Sequence, residues 1–252
     1  MKPLLIDMHT HTLASGHAYG TVNEMITAAA DKGLQMLGIT EHGPEIPGSC
    51  DPFYFFNMRV LPRFQHGIKV MFGAEINILD YTGKLDLSPE YIKNLDLRIA
   101  GIHSECYKLG SIDENTTAII NAIKNPDIDI ISHPDDGFCP LDYPAVVAVA
   151  KEYHTLLEIN NNALRSPSRK NVAENQRTIL ELCKSADIPI ICDSDAHYMN
   201  DLGNIDHLSN IVDSADFPEE LIINYYPEKF EEFVKENAKQ RSAKNMYFES
   251  FK

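Results

Sequence analysis

Short apolar segments alternate with longer segments of helical periodicity along most of the chain. Seven apolar runs have the length and bounding turn residues typical of buried strands. These runs span residues 4–10, 35–42, 69–78, 97–103, 128–134, 156–162 and 188–197. A period near 3.6 residues predicts helices between and after them. The predicted helices span residues 22–33, 56–67, 115–125, 143–153 and 172–186, with two more near 203–213 and 228–239.

This alternation predicts an α/β fold of parallel strands joined by right-handed crossovers. The strands are apolar along nearly their whole length, as expected when helices cover both faces of a sheet. Seven repeats favour a barrel, and no Pro-, Gly- or Ser-rich linker divides the chain, so we expect one domain over residues 1–252. Residues 80–90 are interpreted as an excursion after the third strand, and the tail after about residue 240 as a peripheral segment.

Nearly every predicted strand ends in a histidine or an acidic residue. The carboxyl ends of parallel barrel strands meet on one face, so these side chains are expected to converge. Because strand side chains alternate between faces, His9 and His11 point to one side, and so do Asp195 and His197. We therefore predict a metal site on this face. Its nine candidate ligands are His9, His11, His17, His42, Glu75, His103, His133, Asp195 and His197.

Nine candidate ligands are too many for one ion, which takes four to six. Two or three ions are therefore expected, with a carboxylate as the bridge. Imidazole and carboxylate suit zinc, and they also suit iron or manganese. Multinuclear sites of this kind activate a water molecule and clamp a phosphoryl group during in-line displacement. The pattern predicts phosphoester hydrolysis. The remaining histidines, His66, His154 and His207, fall in predicted helices or at helix ends and are expected to be surface residues.

Composition narrows the classes of partner and compartment. The 252 residues carry a formal net charge of −15, which argues against a nucleic-acid partner because no basic stripe is available. The five cysteines form no C-x-x-C pair, as expected for free thiols in a reducing cytosol. No apolar run approaches the roughly 20 residues of a membrane span, and the N-terminus lacks a signal-peptide core. We expect a cytoplasmic protein without a membrane partner.

The chain resembles the PHP superfamily, named for polymerase and histidinol phosphatase, in a series of motifs that occur in order. These are DMHTHT followed by His17, GITEHGP (38–44), GAEIN (73–77), GIH (101–103), ISHP (131–134) and DSDAH (193–197). The segments NMRVLPR (57–63) and EINN (158–161) resemble more narrowly its YcdX-like phosphatase branch. The resemblance extends from about residue 4 to at least residue 220.

The resemblance implies a distorted seven-stranded (βα)7 barrel with a trinuclear metal centre, most readily of zinc, at its C-terminal face. It assigns a first ion to His9, His11, Glu75 and Asp195, and a second to Glu75, His103 and His133. It assigns a third ion to His17, His42 and His197. A hydroxide that bridges two metal ions would attack the phosphorus of a small phosphorylated substrate. Glu75, as the bridging ligand, and Asp195 are the predicted catalytic residues.

Residues around the candidate ligands also have predicted roles. Glu41 stands where the superfamily commonly has aspartate, and strand alternation turns it away from the face of His42. We expect it to support or pack against the site. Asp7 and Asp193 lie one strand step before ligands, and we expect them to orient ligand imidazoles. Four arginines in segments that follow strands are candidates for substrate contacts, with Arg59 and Arg169 preferred. They are Arg59, Arg63, Arg165 and Arg169.

Three other functions remain open at this point. A histidinol phosphatase would share the fold and the chemistry. An amidohydrolase-type deacylase also begins with H-x-H, but it usually requires a lysine at a central strand end, and His17 and His42 would have no role. A non-catalytic PHP module would be expected to lose ligands, and none is lost here. The sequence leaves the substrate, the native metal and the oligomeric state open, a homo-oligomer included.

Overall fold

The computed structural model describes residues 1–167 and 169–249, with side chains as far as residue 241. The strands in these ranges are β1 (Ile6–Asp7), β2 (Met36–His42), β3 (Phe64–Gln65), β4 (Ile68–Asn77), β5 (Leu97–Gly101), β6 (Ile130–Ile131), β7 (Leu156–Asn160) and β8 (Ile190–Asp193). The α-helices are α1 (Val22–Asp31), α2 (Pro52–Asn57), α3 (Pro89–Ile92), α4 (Ile112–Lys124), α5 (Tyr143–Tyr153), α6 (Val172–Ala186), α7 (Ser209–Ser214) and α8 (Pro227–Glu249).

Seven parallel strands form a nearly closed barrel in the order β1, β2, β4, β5, β6, β7, β8. This confirms the predicted distorted barrel, and each predicted strand region overlaps one of these strands. The register of the longest ladder runs from Met36 opposite Lys69 to His42 opposite Glu75. Two residues of the predicted site therefore lie side by side at the carboxyl end of the sheet.

The predicted helix over residues 56–67 is wrong in its second half. Helix α2 ends at Asn57, a single 3₁₀ turn follows, and β3 then pairs with β4 in an antiparallel hairpin. The hairpin turn consists of His66 and Gly67, which both adopt positive φ (49° and 83°). Two such residues are the requirement of a type I′ turn. Pro62 also removes a backbone donor from the expected helix.

The barrel closes between β1 and β8 largely through side chains. The backbone N–H of Met8 donates to Asp193 (2.8 Å), and the backbone N–H of Ser194 donates to Asp7 (3.1 Å). Nearer the amino ends, the buried amide of Asn224 bonds Cys192 N (2.7 Å), Cys192 O (2.8 Å) and Ile6 O (3.1 Å). Asn224 thus occupies the place of a strand residue between the two edges.

Helix α8 closes the amino-terminal end of the barrel. Phe230, Phe233 and Val234 pack in one cluster with residues from every parallel strand. Farther along α8, Asn237 and Arg241 both donate to the buried carboxylate of Asp129, at 3.0 and 2.9 Å. The chain is therefore still packed against the barrel at residue 241, whereas residues 250–252 of the predicted peripheral tail lie outside the described ranges.

The cysteine side chains are all present as free thiols, and Cys139, Cys183 and Cys192 are buried. Within the described residues, no helix combines the length and the apolar character that crossing a lipid bilayer requires.

Candidate metal centre

The structure brings all nine predicted ligands together at the carboxyl ends of the barrel strands. His42 and Glu75 belong to β2 and β4, and the others lie in the segments that follow β1, β5, β6 and β8. Most of these side chains are buried, including those of His9, His11 and Glu75, which have no exposed surface. Three groups of these side chains have ligand atoms within 4.8 Å of one another: His11 with His42 and His197, His9 with His11 and Asp195, and His42 with Glu75 and His103.

The carboxylate of Glu75 lies at the middle of the cluster and faces two sides. Its Oε2 atom lies 3.2 Å from His9 Nε2 and 2.8 Å from His42 Nδ1. Its Oε1 atom lies 2.8 Å from His133 Nε2 and 3.3 Å from His103 Nε2. One carboxylate therefore separates two groups of imidazoles, as a bridging ligand does.

The other candidate ligands surround Glu75 on the side of Oε2. The Nε2 atoms of His9 and His11 are 3.0 Å apart, and Asp195 Oδ1 lies 3.3 Å from His11 Nε2. The Nε2 atoms of His17 and His197 are 3.2 Å apart. The ring of His42 stacks between those of His11 and His17, with centroid distances of 4.1 and 4.8 Å. His42 therefore lies between the pair of His9 and His11 and the pair of His17 and His197.

Acceptors behind the cluster fix the ring tautomers of three histidines. Glu158 Oε1 lies 2.7 Å from His9 Nδ1. Asn77 Oδ1 lies 2.7 Å from His103 Nδ1, and the backbone carbonyl of Asp195 lies 3.0 Å from His197 Nδ1. Each of these oxygens accepts a hydrogen bond, so each of the three imidazoles carries its proton on Nδ1.

His11 is fixed through one more hydroxyl. Ser15 Oγ lies 3.0 Å from His11 Nδ1 and donates its only proton to Glu41, at 2.6 Å. The hydroxyl must therefore accept the proton of His11 Nδ1. Glu41 also accepts hydrogen bonds from the backbone N–H and the hydroxyl of Thr12. Glu41 thus supports the site from behind, as expected from strand alternation.

These tautomers direct Nε2 lone pairs into the cluster. Two lone pairs that face each other at 3.0 Å, as in His9 and His11, repel each other unless a proton or a metal ion lies between them. Among the described residues, His42 Nδ1, Glu75 Oε2 and Asp195 Oδ1 are buried without a hydrogen-bond partner, although the first two are only 2.8 Å apart. Neutral imidazoles and carboxylates are the ligands of zinc and similar divalent ions. The residues present fit such ions.

The electrostatics of the cluster favour bound positive charge. Burial disfavours a charged His9, but Glu75, Glu158 and Asp195 outweigh this effect and raise its pKa well above the ordinary value. Burial and the neighbouring His42 and His197 lower the pKa of His11 well below it. Burial also lowers the pKa of His42 to about 4. The same negative groups that favour a proton on His9 also favour a metal ion, which would compete with that proton for Nε2.

Two of the candidate ligands have strained backbone conformations. His133 and Asp195 adopt φ values of 30° and 52°. Such values cost of order 1 kcal/mol for residues other than glycine, and they cluster at functional sites. Each lies two residues after the end of a strand, where the turn in the backbone directs the side chain of His133 to Glu75 and that of Asp195 to His11.

The prediction that Asp7 and Asp193 orient imidazoles is wrong. Asp7 accepts hydrogen bonds from Ser194 and from the backbone N–H of Gly203 (2.8 Å), and Asp193 accepts from Met8. Both carboxylates join the barrel edges instead.

Sequence reasoning assigned no role to Glu158, Ser15 and Asn77, which hold the imidazoles in their place. A usable signal existed for Glu158, because it is a lone acid inside the apolar run LLEIN. For Ser15 and Asn77, the sequence offers no comparable signal.

A cavity of about 860 Å³ opens over the cluster, and its size is within the usual range for small-ligand sites. Its wall includes His17, His103 and His197 together with Ile46, Phe138 and Arg169.

The four candidate arginines differ in their relation to this cavity. Arg169 lines it, lies 3.5 Å from Asp136 through Nε, and has a buried Nη1 with no hydrogen-bond partner in the described part of the chain. Arg59 is exposed, stacks on Phe56 at 3.9 Å and does not line the cavity. The other two are held in ion pairs: Arg63 with Asp96 and Arg165 with Asp201.

The three remaining histidines lie away from the cluster. His66 is an exposed residue of the hairpin turn, and His207 is exposed before α7. His154 ends α5, and its Nδ1 bonds Asn237 at 2.9 Å. None of the three belongs to the groups of possible metal ligands among the described residues.

Comparisons with known proteins agree with the motifs and the barrel. A family model described as "PHP domain" matches residues 7–250. A "probable phosphatase" of Clostridium novyi is 43% identical over 93% of this chain and 96% of its own length. Another, of Caldicellulosiruptor saccharolyticus, is 44% identical over 94% and 98%. A crystal structure of histidinol phosphate phosphatase from Lactococcus lactis, complexed with zinc, L-histidinol and phosphate, has a similar fold, with a TM-score of 0.58 and 16% identity, over 84% of this chain and 94% of that one.

Proposed function

Because the chain belongs to the PHP domain family, we propose that it is a metal-dependent phosphatase that hydrolyses small phosphate monoesters. The observation that carries the proposal is the two-sided environment of Glu75, with inward-facing imidazole nitrogens near both oxygens. Close relatives named as probable phosphatases support the reaction class. The zinc and phosphate in the Lactococcus lactis complex support the cofactor and the substrate class.

The proposed centre holds three divalent ions, zinc in the first instance. His9, His11, Glu75 and Asp195 would hold the first, Glu75, His103 and His133 the second, and His17, His42 and His197 the third. When bound, such ions would polarise the phosphoryl group and lower the pKa of a water molecule between them, so that hydroxide attacks phosphorus.

The chain's own groups then have separate tasks. Glu158, Ser15 and Asn77 keep imidazole lone pairs directed inward, so the site needs little rearrangement when it is loaded. Arg169, with its buried and unpartnered Nη1 at the cavity wall, would bind a substrate oxygen. Ser132 donates its hydroxyl to Glu75 at 2.8 Å and is therefore engaged in holding the carboxylate.

A cysteine nucleophile has no place in the proposed reaction. Among the described residues, no cysteine lines the cavity. Burial raises the pKa of Cys106, beside the wall residue Glu105, to about 12, so its thiolate is scarce near neutral pH. Direct attack by water fits this site better than a covalent cysteine intermediate does.

The decisive test combines metal analysis with turnover. The protein should contain about three equivalents of divalent metal and should hydrolyse p-nitrophenyl phosphate. Glu75→Gln should fold, lose more than one equivalent and lose nearly all turnover, because both sides of the cluster lose the shared charge. Glu90→Gln, an exposed carboxylate in α3, is the matched control. One equivalent or fewer in protein never exposed to chelators, or full turnover in Glu75→Gln, would contradict the proposal.

A panel of substrates then separates the remaining alternatives. Phosphorylated metabolites that include histidinol phosphate and nucleotides should be assayed with zinc, manganese and iron in turn. A marked preference for histidinol phosphate would identify a histidinol phosphatase. Turnover of N-acyl substrates without turnover of any phosphate ester would identify the deacylase alternative. Full metal binding without turnover of either class would identify a non-catalytic module.

A further inference from the structure

The excursion after β4 returns to the strand at one point close to the metal cluster. A bridge pairs Ile78 with Leu85, and the backbone N–H of Asp86 donates to the carbonyl of Asn77 at 3.1 Å. The Asp86 carboxylate accepts from Asn77 N (2.9 Å), Asn77 Nδ2 (2.6 Å) and Glu45 N (3.1 Å). A Cβ atom on Gly43 would lie 2.3 Å from this carboxylate, so a larger residue there would displace it.

These contacts determine which way the Asn77 amide points. Both oxygens of Asp86 accept backbone N–H groups, so they present acceptor lone pairs to Asn77. The NH₂ group of Asn77 must then face Asp86, and its Oδ1 must face His103 Nδ1, 2.7 Å away. Asn77 is fully buried and has no room to exchange these partners for water. The orientation is set by Asp86.

We propose that Asp86 is a positioning residue of the metal centre and acts through Asn77 on the tautomer of His103. The inference rests on the proposed metal centre. Because Asn77 Oδ1 accepts from His103 Nδ1, the Nε2 lone pair faces Glu75 Oε1 at 3.3 Å. A reversed amide would donate to Nδ1, move the ring proton to Nε2 and remove His103 as a ligand. Asp86 prevents this reversal from outside the cavity wall.

Substitution of Asp86 should weaken one ion selectively. In Asp86→Ala the amide of Asn77 loses its fixed acceptor and can present either end to His103. Loss of such an outer partner typically reduces metal affinity by about 10- to 100-fold. We expect this loss for one zinc equivalent in competition with a chromophoric chelator, while the other equivalents keep their affinity. Imidazole ¹⁵N shifts of His103 in the zinc-loaded protein should show a mixture of tautomers.

A second substitution makes the positioning role separable from a general loss of structure. A carboxylate at position 77 accepts through either oxygen and needs no external orientation. Asn77→Asp should therefore restore zinc affinity when added to Asp86→Ala. In the presence of Asp86 the same Asn77→Asp change should impair binding, because two carboxylates would stand at the 2.6 Å contact. Asn77→Asp should thus raise zinc affinity in Asp86→Ala and lower it when Asp86 is present. A substitution that merely destabilised the fold would lower zinc affinity in both proteins.

Asp80→Asn is the matched control, because Asp80 lies in the same excursion and its carboxylate bonds within that excursion, to Thr82 and Lys84. It should bind zinc as the unchanged protein does. The inference is overturned if Asp86→Ala binds every equivalent normally, if all equivalents weaken together, or if Asn77→Asp fails to restore affinity in a folded double variant. Chelator competition needs no turnover, so a protein without phosphatase activity can still pass this test. If the protein is a phosphatase but Asp86→Ala binds zinc normally, this inference fails while the proposed function stands.

Discussion

Glu158→Gln tests the claim that outer acceptors set the tautomers of the metal centre. Glu158 is fully buried and makes three contacts: Oε1 with His9 Nδ1 at 2.7 Å, and Oε2 with the backbone N–H of His133 at 2.6 Å and the amide of Asn160 at 3.0 Å. All three partners donate. A glutamine has one accepting end, so it cannot satisfy the contacts on both sides at once.

The two orientations of the glutamine have different costs. If its oxygen faces His9, its NH₂ group meets the donors of His133 and Asn160, and two unsatisfied buried donors cost roughly 2–6 kcal/mol. If its NH₂ group faces His9, the ring proton moves to Nε2 and His9 is lost as a ligand. Loss of an outer partner reduces metal affinity by about 10- to 100-fold, or roughly 1.4–2.8 kcal/mol. The second orientation is the cheaper one.

We therefore expect Glu158→Gln to fold with modest loss of stability and to bind one zinc equivalent about 10- to 100-fold more weakly. Chelator competition measures the affinity, urea denaturation of the metal-free protein measures stability, and kcat/KM on p-nitrophenyl phosphate should fall at limiting zinc. The control is Glu152→Gln, an exposed glutamate of α5. Unchanged zinc affinity together with a stability loss of several kcal/mol would refute the tautomer argument, because the glutamine would then keep its oxygen on His9.

Three further predictions concern pH, barrel closure and substrate contacts. In the metal-free protein the pKa of His42 is lowered from 6.5 to about 4 by burial, so only the unfolded chain gains this proton between these pH values. As pH falls across that window, the His42 contribution should therefore reduce the free energy of unfolding by about 3 kcal/mol. His42→Gln should flatten the dependence of the urea midpoint on pH, and an unchanged dependence in this variant would contradict the prediction. Asn224→Ala should cost at least about 3 kcal/mol in urea denaturation, since it leaves several buried groups at the seam unpaired, whereas Asn94→Ala, which loses one surface hydrogen bond, should cost less than about 1 kcal/mol. Arg169→Ala should raise KM for phosphate monoesters several-fold while metal content stays constant, and Arg59→Ala should change neither; equal effects in the two variants would remove Arg169 from the substrate site.

The barrel and the convergence of the nine side chains were predictable because both follow from local patterns. A strand covered on both faces must be apolar along its length, and a polar residue at its carboxyl end is then conspicuous. The hairpin of β3 and β4 was not predicted. A turn there was indicated by Pro62 and by the glycine at position 67, next to His66. Helical periodicity fitted the same stretch, and the requirement for two positive φ values is decided by pairing with β4.

The outer contacts of the site were beyond such patterns. Glu158 reaches His9 across 149 residues of sequence, and Asp7 reaches Ser194 across 187. Both Asp7 and Glu158 are acids in apolar strands, and alternation alone does not say which face of each strand meets the metals and which meets the seam. Which face meets the metals depends on how β1 and β8 meet when the barrel closes, and this is determined by all the strands together.

The side-chain seam between β1 and β8 determines when the site can exist during synthesis. His9 and His11 leave the ribosome well before the groups that hold β1 in place, Asp193 and Asn224, which lie 185 and 218 residues from their β1-side partners in the sequence. β1 itself has only two registered pairs with β2, so it gains little order before the ring closes. The first histidines and the last ligands therefore come together only after nearly the whole barrel has been translated. Such long-range closure is slow to form, and we expect metal uptake to mark the final step of folding.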